Sequence, residues 1–303
     1  MSHLIKYSDN LTLCEFGLFA RFDAVNILKK NLATIVTTIG LDHLDWLPEN
    51  DKNIDGVIFE KTSSLLNSKI IVSKQNDKET LEKIKKSLDT NKSKKIFFND
   101  LFSYTLGENN FFYYEDQYGG LKLPMPNLKG EFQLSNVATA IATIRNIEEL
   151  KISEENIKKG ITKIHSIARL QEIKTGKLKN LVKNNKLFVD GSHNPLGAKV
   201  LSNYLSNLNC NIHMILGMMN NKDHEGYVSL FKGKLASLTT IDIPNQENAI
   251  GRNELKNKLK LEGLEINSKP TIQEAIRSIP LKDNEIIFIT GSLYLAGEVL
   301  NLN

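Results

Sequence analysis

At 303 residues, with 41% hydrophobic and 24% charged residues, the chain is long enough for two domains that each bury a core, and its composition is that of a soluble globular protein. A formal charge of +4 is too small to argue for nucleic acid and suits anionic small substrates such as nucleotides or polycarboxylates. The two cysteines form no Cys-x-x-Cys or Cys/His cluster, and no apolar run reaches about 18 residues, so the expectation is a cytoplasmic protein without disulfide framework, membrane span or secretion signal.

The polar opening, residues 1–10, runs straight into Leu11-Thr-Leu-Cys-Glu-Phe-Gly17, which reads as an interior strand and is an abrupt start for a sheet protein. Glu15, Arg21 and Asp23 follow within nine residues, a set able to hold a divalent cation and an anionic substrate. Taken alone, a local Arg21/Asp23 ion pair is the simpler reading. Leu32–Ile39 reads as a β-branched strand leading into Gly40-Leu-Asp-His43. A lone histidine is more often structural than a ligand, but if these two strands are neighbours, Glu15 and His43 face one crevice, and hard oxygen donors favour Mg²⁺.

Strands are expected at 69–73 and 95–98 around a charged helix at 77–88, an alternation that indicates parallel sheet packing. The Lys-rich interval 74–95 reads as a solvated helix face. A hairpin is expected over Phe111–Tyr114 and Gly120–Leu123, then an apolar helix over Gln133–Ile144 and a second helix over 153–164. From 167 the pattern restarts, with strands at 171–174, 186–190, 211–216, 237–241 and 286–290, which places a domain boundary near residue 166.

Phe188-Val-Asp-Gly-Ser-His-Asn-Pro195 puts an acid, an imidazole and an amide at a strand end, with Asn194-Pro195 opening a helix. Ligands of open α/β sheets collect at that carboxyl edge, although the same residues also suit a capped βα turn. Gly291-Ser-Leu-Tyr294 follows another buried strand and opens at the same edge.

In register, Glu15-Phe-Gly-Leu-Phe-Ala-Arg-Phe-Asp-Ala-Val-Asn26, Ile39-Gly-Leu-Asp-His-Leu-Asp-Trp-Leu47, Phe59-Glu-Lys61, Gly130-Glu-Phe-Gln-Leu-Ser-Asn136, Ala168-Arg-Leu-Gln171, Asp190-Gly-Ser-His-Asn-Pro195 and Gly291-Ser-Leu-Tyr-Leu295 resemble the folylpolyglutamate synthase/dihydrofolate synthase family of the Mur ligase superfamily. The resemblance implies an α/β fold: a P-loop-type central ATPase domain, here incomplete and covering 1–166, followed by a Rossmann-like C-terminal glutamate-ligase domain over 167–303, with the active site in the cleft between them. It implies ATP-dependent ligation of glutamate to a pteroate or folate carboxylate through an acyl phosphate, by a monomer whose partners are ATP, L-glutamate and pteroate or folate, with neither nucleic acid nor membrane. Glu15 and His43 would hold Mg²⁺, and Lys61 would match the family's carbamylated lysine that supports a second metal. Phe22, Asp23 and Ala24 fall where the family binds the pterin, and Asn136, Arg169 and Asp190 at nucleotide-binding positions. His193, Ser292 and Tyr294 would lie near the incoming glutamate, with Lys61, Asp190 and His193 as the catalytic set.

The chain departs from the family pattern at Phe19-Ala20, where Gly-Gly is usual, in a longer His43–Lys61 interval, and in an insertion-like stretch from Thr175 to Lys186. It also contains no Gly-x-x-x-x-Gly-Lys-Ser/Thr loop, the backbone cradle that binds phosphates in P-loop proteins. The expectation is therefore a chain truncated at its N-terminus, with an unpaired sheet edge and exposed apolar surface there. An inactive or ligand-binding module and a muramyl ligase stand as the alternatives.

Overall fold

The computed structural model describes residues 11–303, a mixed α/β fold that groups into two compact units. The first holds the described residues through 103, together with 114–120 and 138–152; the second holds 104–113, 121–137 and 153–303.

In the first unit, β1 (Ala33–Val36), β2 (Lys69–Val72) and β3 (Lys95–Phe97) form a parallel sheet in the order β1-β2-β3. Ile70, Ile71 and Val72 of the middle strand are fully buried, as expected of a strand covered on both faces. Helices α1 (Ile54–Thr62) and α2 (Lys78–Leu88) are each started by a side chain that accepts an otherwise orphaned N–H: Asn53 from Gly56, and Asp77 from Thr80. Thr80, Ile84 and Leu88 form the buried face of α2, while Lys83 pairs outward with Asp55 and Glu79, so this lysine-rich stretch is the solvated face it reads as.

Two expectations fail here. Leu11–Gly17 is not a strand: no ladder among the described residues involves it, and although Phe16 packs on the first unit's core, Leu11 and Leu13 are 57% and 86% exposed and bury little to offset the entropy of fixing it. Arg21 does not pair with Asp23 but reaches Glu60 at 2.5 Å, in the bidentate geometry its planar fork favours. β1 borders its sheet with Leu32 and Ile35 at 42% and 37% exposure.

A second sheet, β4 (Phe102–Leu106), β5 (Phe111–Asp116) and β6 (Leu121–Pro124), precedes helices α3 (Phe132–Arg145) and α4 (Glu154–Thr162). The last six strands are β7 (Gln171–Ile173), β8 (Lys186–Val189), β9 (Ile212–Leu216), β10 (Ser237–Ile241), β11 (Ile266–Lys269) and β12 (Ile286–Thr290). They lie in the order β11-β10-β9-β12-β8-β7, parallel except for antiparallel β7. The helices between and after them are α5 (Lys177–Leu181), α6 (Pro195–Ser206), α7 (His224–Ser229), α8 (Arg252–Lys258), α9 (Ile272–Ser278) and α10 (Leu293–Leu302).

Strand side chains alternate between two cores. Phe188, Met214, Leu216 and Phe288 pack with Leu201 of α6, Tyr227 of α7 and Leu255 of α8. Leu187, Val189, Ile215, Ile287 and Ile289 pack with Leu178 of α5, Ile276 of α9 and Val299 of α10. Central β12 thus sends its helix to the face opposite to the helices that follow its neighbours β8 and β9. That reversal is the topological switch at whose carboxyl edge such sheets open a crevice. Among the described residues, no helix is long and apolar enough to cross a membrane.

Candidate functional site

Three turns meet at the switch. The first, 168–171, precedes β7; the second, 190–193, leaves β8; the third, 290–292, leaves β12. Asp190 ties the first two, one carboxylate oxygen accepting Leu170 N–H and the other accepting Ser192 N–H, both at 2.8 Å, while Gly191 N–H donates to Ala168 O at 2.9 Å. Gly291 ties the third, donating its N–H to Ser192 O at 3.1 Å. Its φ of +108° and its approach to Gly217 O, which an added Cβ would meet at 2.6 Å, leave glycine as the residue that fits.

The geometry makes Arg169 the centre of a strained turn. Ala168 and Leu170 on either side hold φ of 55° and 46°, left-handed values that side chains other than Gly, Asn and Asp rarely take. Both flanking residues are buried and Arg169 is exposed, so the strain presents the guanidinium to solvent on a backbone fixed by Asp190 and by the Gln171 side chain, which accepts Ala168 N–H at 2.9 Å. Strain of this kind marks binding sites where the surroundings over-determine the backbone.

His193 follows half-buried, one ring nitrogen 3.0 Å from Gly191 O. Asn194 caps α6 through Gly197 N–H, and Pro195 fills the first helical position, where its missing donor costs nothing. Ser292 caps α10, accepting Tyr294 N–H at 3.1 Å, and the Tyr294 ring is exposed. Asn136 is exposed on the second turn of α3 and donates to Gln133. Phe132, at the start of that helix, packs against the core cluster containing Leu170. Beneath the turns lies a group the motifs do not announce: the hydroxyls of Ser192, Tyr227 and Thr290 stand within 2.8–3.2 Å of one another, all buried. Burial pushes the Tyr227 phenol well above its ordinary range, so it is a neutral O–H at any working pH.

The first unit places two of its candidates, His43 and Lys61, beside Phe19. His43 meets the Phe19 ring edge-on at 6.2 Å, and the Lys61 ammonium lies 5.5 Å from the same ring while donating to Leu18 O. Burial lowers the Lys61 ammonium below the ordinary lysine range, with Asp42 pulling the other way. Asp42 also pairs with His43 at 3.6 Å. The Arg21 guanidinium lies between the rings of Phe22 and Phe59, 4.6 and 5.1 Å away, leaving Phe22 88% exposed. Asp23 accepts from Val25 and Gly17 N–H, which holds its carboxyl below the usual range, and Ala24 opens the short 3-10 turn that Asp23 caps. Glu15 is exposed in the irregular segment before it, not at a strand end.

No group of three His, Cys, Asp or Glu donors forms among the described residues. A single carboxylate and a single imidazole would suit Mg²⁺ only with waters and substrate phosphates completing its shell, as they commonly do.

A family model described as "Mur ligase, glutamate ligase domain" matches residues 168–293, the span that holds all three turns. The dihydrofolate synthase/folylpolyglutamate synthase of Haemophilus influenzae is 25% identical over 316 residues, covering 98% of this chain and 69% of that protein. The folylpolyglutamate synthase of Lacticaseibacillus casei is 25% identical over 300 residues, covering 96% and 66%. The Escherichia coli FolC structure in complex with ADP has the same fold at a TM-score of 0.78 and 22% identity, covering 94% of this chain and 65% of that one. The Mycobacterium tuberculosis folylpolyglutamate synthase complexed with ADP and AMPPCP matches at 0.77 and 18%, covering 95% and 67%. The chain thus spans about two thirds of the length of these relatives.

Proposed function

We propose that this chain, which belongs to the dihydrofolate synthase/folylpolyglutamate synthase family of the Mur ligase superfamily, serves the ATP-dependent ligation of L-glutamate to the carboxylate of dihydropteroate or a tetrahydrofolate. One observation carries the reading: Asp190 gathers the Arg169 turn and the His193 turn at the switch point of the second unit's sheet.

In this reaction the acceptor carboxylate attacks the γ-phosphorus of ATP, giving an acyl phosphate and ADP. The glutamate amine then attacks the acyl carbon, phosphate leaves, and the amine's proton passes to solvent or base. Negative charge grows on oxygen in both steps, so a fixed cation and fixed donors supply most of the stabilisation. Arg169, exposed on its strained turn, is assigned to phosphate oxygens, which its fork can bind bidentately. Asp190 holds that turn in place, and Asn136 faces the nucleotide. His193, Ser292 and Tyr294 are assigned to glutamate, with His193 suited to receive the amine's proton. Phe22, Asp23 and Ala24 are assigned to the pterin: Phe22 offers a bare aromatic face already braced by Arg21. Glu15 and His43 would hold Mg²⁺, which supplies charge neutralisation at the phosphates, and Lys61, its amine made less basic by burial, is the group open to carbamylation. We assign 1–166 to a partial central domain and 167–303 to the glutamate-ligase domain, in a cytoplasmic monomer.

A second reading keeps the site as a module that binds pteroate or nucleotide without turnover. Following ADP release with ATP, glutamate and dihydropteroate, alongside pteroate binding, separates the two. Glutamate-dependent ADP release supports the ligase, and binding without release supports the module.

A further inference from the structure

We propose that Tyr227 is a positioning residue: through a closed ring of three hydroxyls it fixes the 190–193 turn against the 290–292 turn, and so aligns the groups that receive the amino-acid substrate. The inference rests on the ligase reading for the identity of that substrate, but the ring itself does not.

Tyr227 OH lies 2.9 Å from Ser192 Oγ and 2.8 Å from Thr290 Oγ1, which are 3.2 Å apart. Each hydroxyl has one proton and spare lone pairs, so the triangle can close with every member donating once and accepting once, with Ser192 O, 3.4 Å from Thr290 Oγ1, as the other acceptor for the Thr290 proton. The members come from three elements: α7, the turn after β8, and the end of β12. Tyr227 is fully buried in the core cluster on the α6–α8 face and packs on Phe231 at a ring separation of 5.5 Å, so the phenol is anchored from below. Its oxygen carries a polar contact from this core to both turns.

The link above the ring is thin. Gly291 N–H to Ser192 O, at 3.1 Å, is the backbone bond that joins the turns directly, and the Thr290 hydroxyl of the ring reaches the same carbonyl at 3.4 Å. His193 follows Ser192, and Ser292 follows Gly291. A shift of one turn past the other therefore misaligns those side chains without disturbing β8 or β12. Removing the phenol oxygen leaves Ser192 and Thr290 able to pair with each other, so the core stays satisfied while the anchor is lost.

The test compares wild type, Tyr227→Phe and Thr290→Val by amide hydrogen exchange and by ligase kinetics. Thr290→Val carries the test if Tyr227→Phe fails to fold. The expected result is exchange about tenfold faster at Ser192 and Gly291 with the strand interiors unchanged. With it, KM for glutamate should rise about fivefold or more while KM for ATP holds and kcat falls less than KM rises, a split that general destabilisation does not produce. Unchanged exchange at both turns in a folded variant overturns the ring as a tie. Faster exchange with equal losses for ATP and glutamate overturns its role in aligning the amino-acid site. A wild type that forms no amide product refutes the ligase reading instead, and exchange alone then decides whether Tyr227 holds the turns.

Discussion

Asp190 and Leu170, twenty positions apart in sequence, are joined by a 2.8 Å hydrogen bond from a buried backbone N–H to a carboxylate oxygen. Leu170 holds a left-handed φ, and the same carboxylate takes Ser192 N–H with its other oxygen. One side chain thus offsets backbone strain beside Arg169 and closes the turn that carries His193. Asp190→Ala leaves two buried donors unpaired and should destabilise the protein by about 2–4 kcal/mol, with Asp190→Asn, which keeps one good acceptor, costing about half as much. Urea unfolding at neutral pH measures both, and a loss below about 1 kcal/mol for the alanine variant would show that water replaces the carboxylate.

Ala168 makes the strain measurable. In ordinary backbone Ala→Gly costs about 0.5–1 kcal/mol, but a left-handed non-glycine residue carries about 1–2 kcal/mol of its own. Ala168→Gly, at φ 55°, should leave stability unchanged or raise it. Because the Ala168 methyl is buried, a loss in thermal or urea unfolding well beyond the roughly 1 kcal/mol that its packing supplies would mean that the turn is not strained.

Glu285 should set an acid limit to stability. Asn211 donates to it at 2.8 Å, Lys282 N–H at 2.8 Å and His213 at 3.1 Å, and these bonds hold its carboxyl down to about 2. A folded-state value below the unfolded one contributes stability that is complete above the ordinary glutamate range near 4.5 and is lost as pH falls from there towards about 2. The stability gap between wild type and Glu285→Gln should therefore be constant near neutrality and shrink on acidification below that range. A gap that stays flat to the acid limit would contradict the assignment.

Arg145 and Asp116 form a pair of the kind that is costly to break. The carboxylate side chain is 1% exposed and accepts Arg145 Nε at 2.9 Å, a second guanidinium bond at 3.1 Å, and the Tyr114 hydroxyl at 2.8 Å. Arg145→Met should cost about 3–5 kcal/mol by stranding a buried charge, and adding Asp116→Asn should recover part of it. A double-mutant cycle with no coupling would show the pair to be incidental.

Sequence alone made the second unit's sheet legible because its central strands are runs such as Ile286-Ile-Phe-Ile289, buried on both faces and bounded by turn residues. β11, Ile266-Asn-Ser-Lys269, was missed because an edge strand with one buried residue carries no such signal. Helix α1 was hidden by its weak periodicity around Gly56, and β4 by its short, mixed pattern. Leu11–Gly17 misled for the opposite reason: alternating apolar residues specify a strand only when something covers them. Motif spacing singled out Asp190, His193 and Ser292, which lie on the turns at the sheet's switch point, but not Glu60 as the partner of Arg21, which requires the fold to bring α1 beside the 20–23 loop. Tyr227 had no signal beyond being a lone tyrosine on a short helix, since its partners lie 35 and 63 residues away.

The most direct test incubates the protein purified from its own cells with ATP, Mg²⁺, L-glutamate and either dihydropteroate or tetrahydrofolate, and weighs the products. The account predicts a product heavier by one glutamate residue, formed one-for-one with ADP and lost in Arg169→Ala. A folded protein that yields no such amide with either acceptor, or an Arg169→Ala variant that yields as much as wild type, would contradict it.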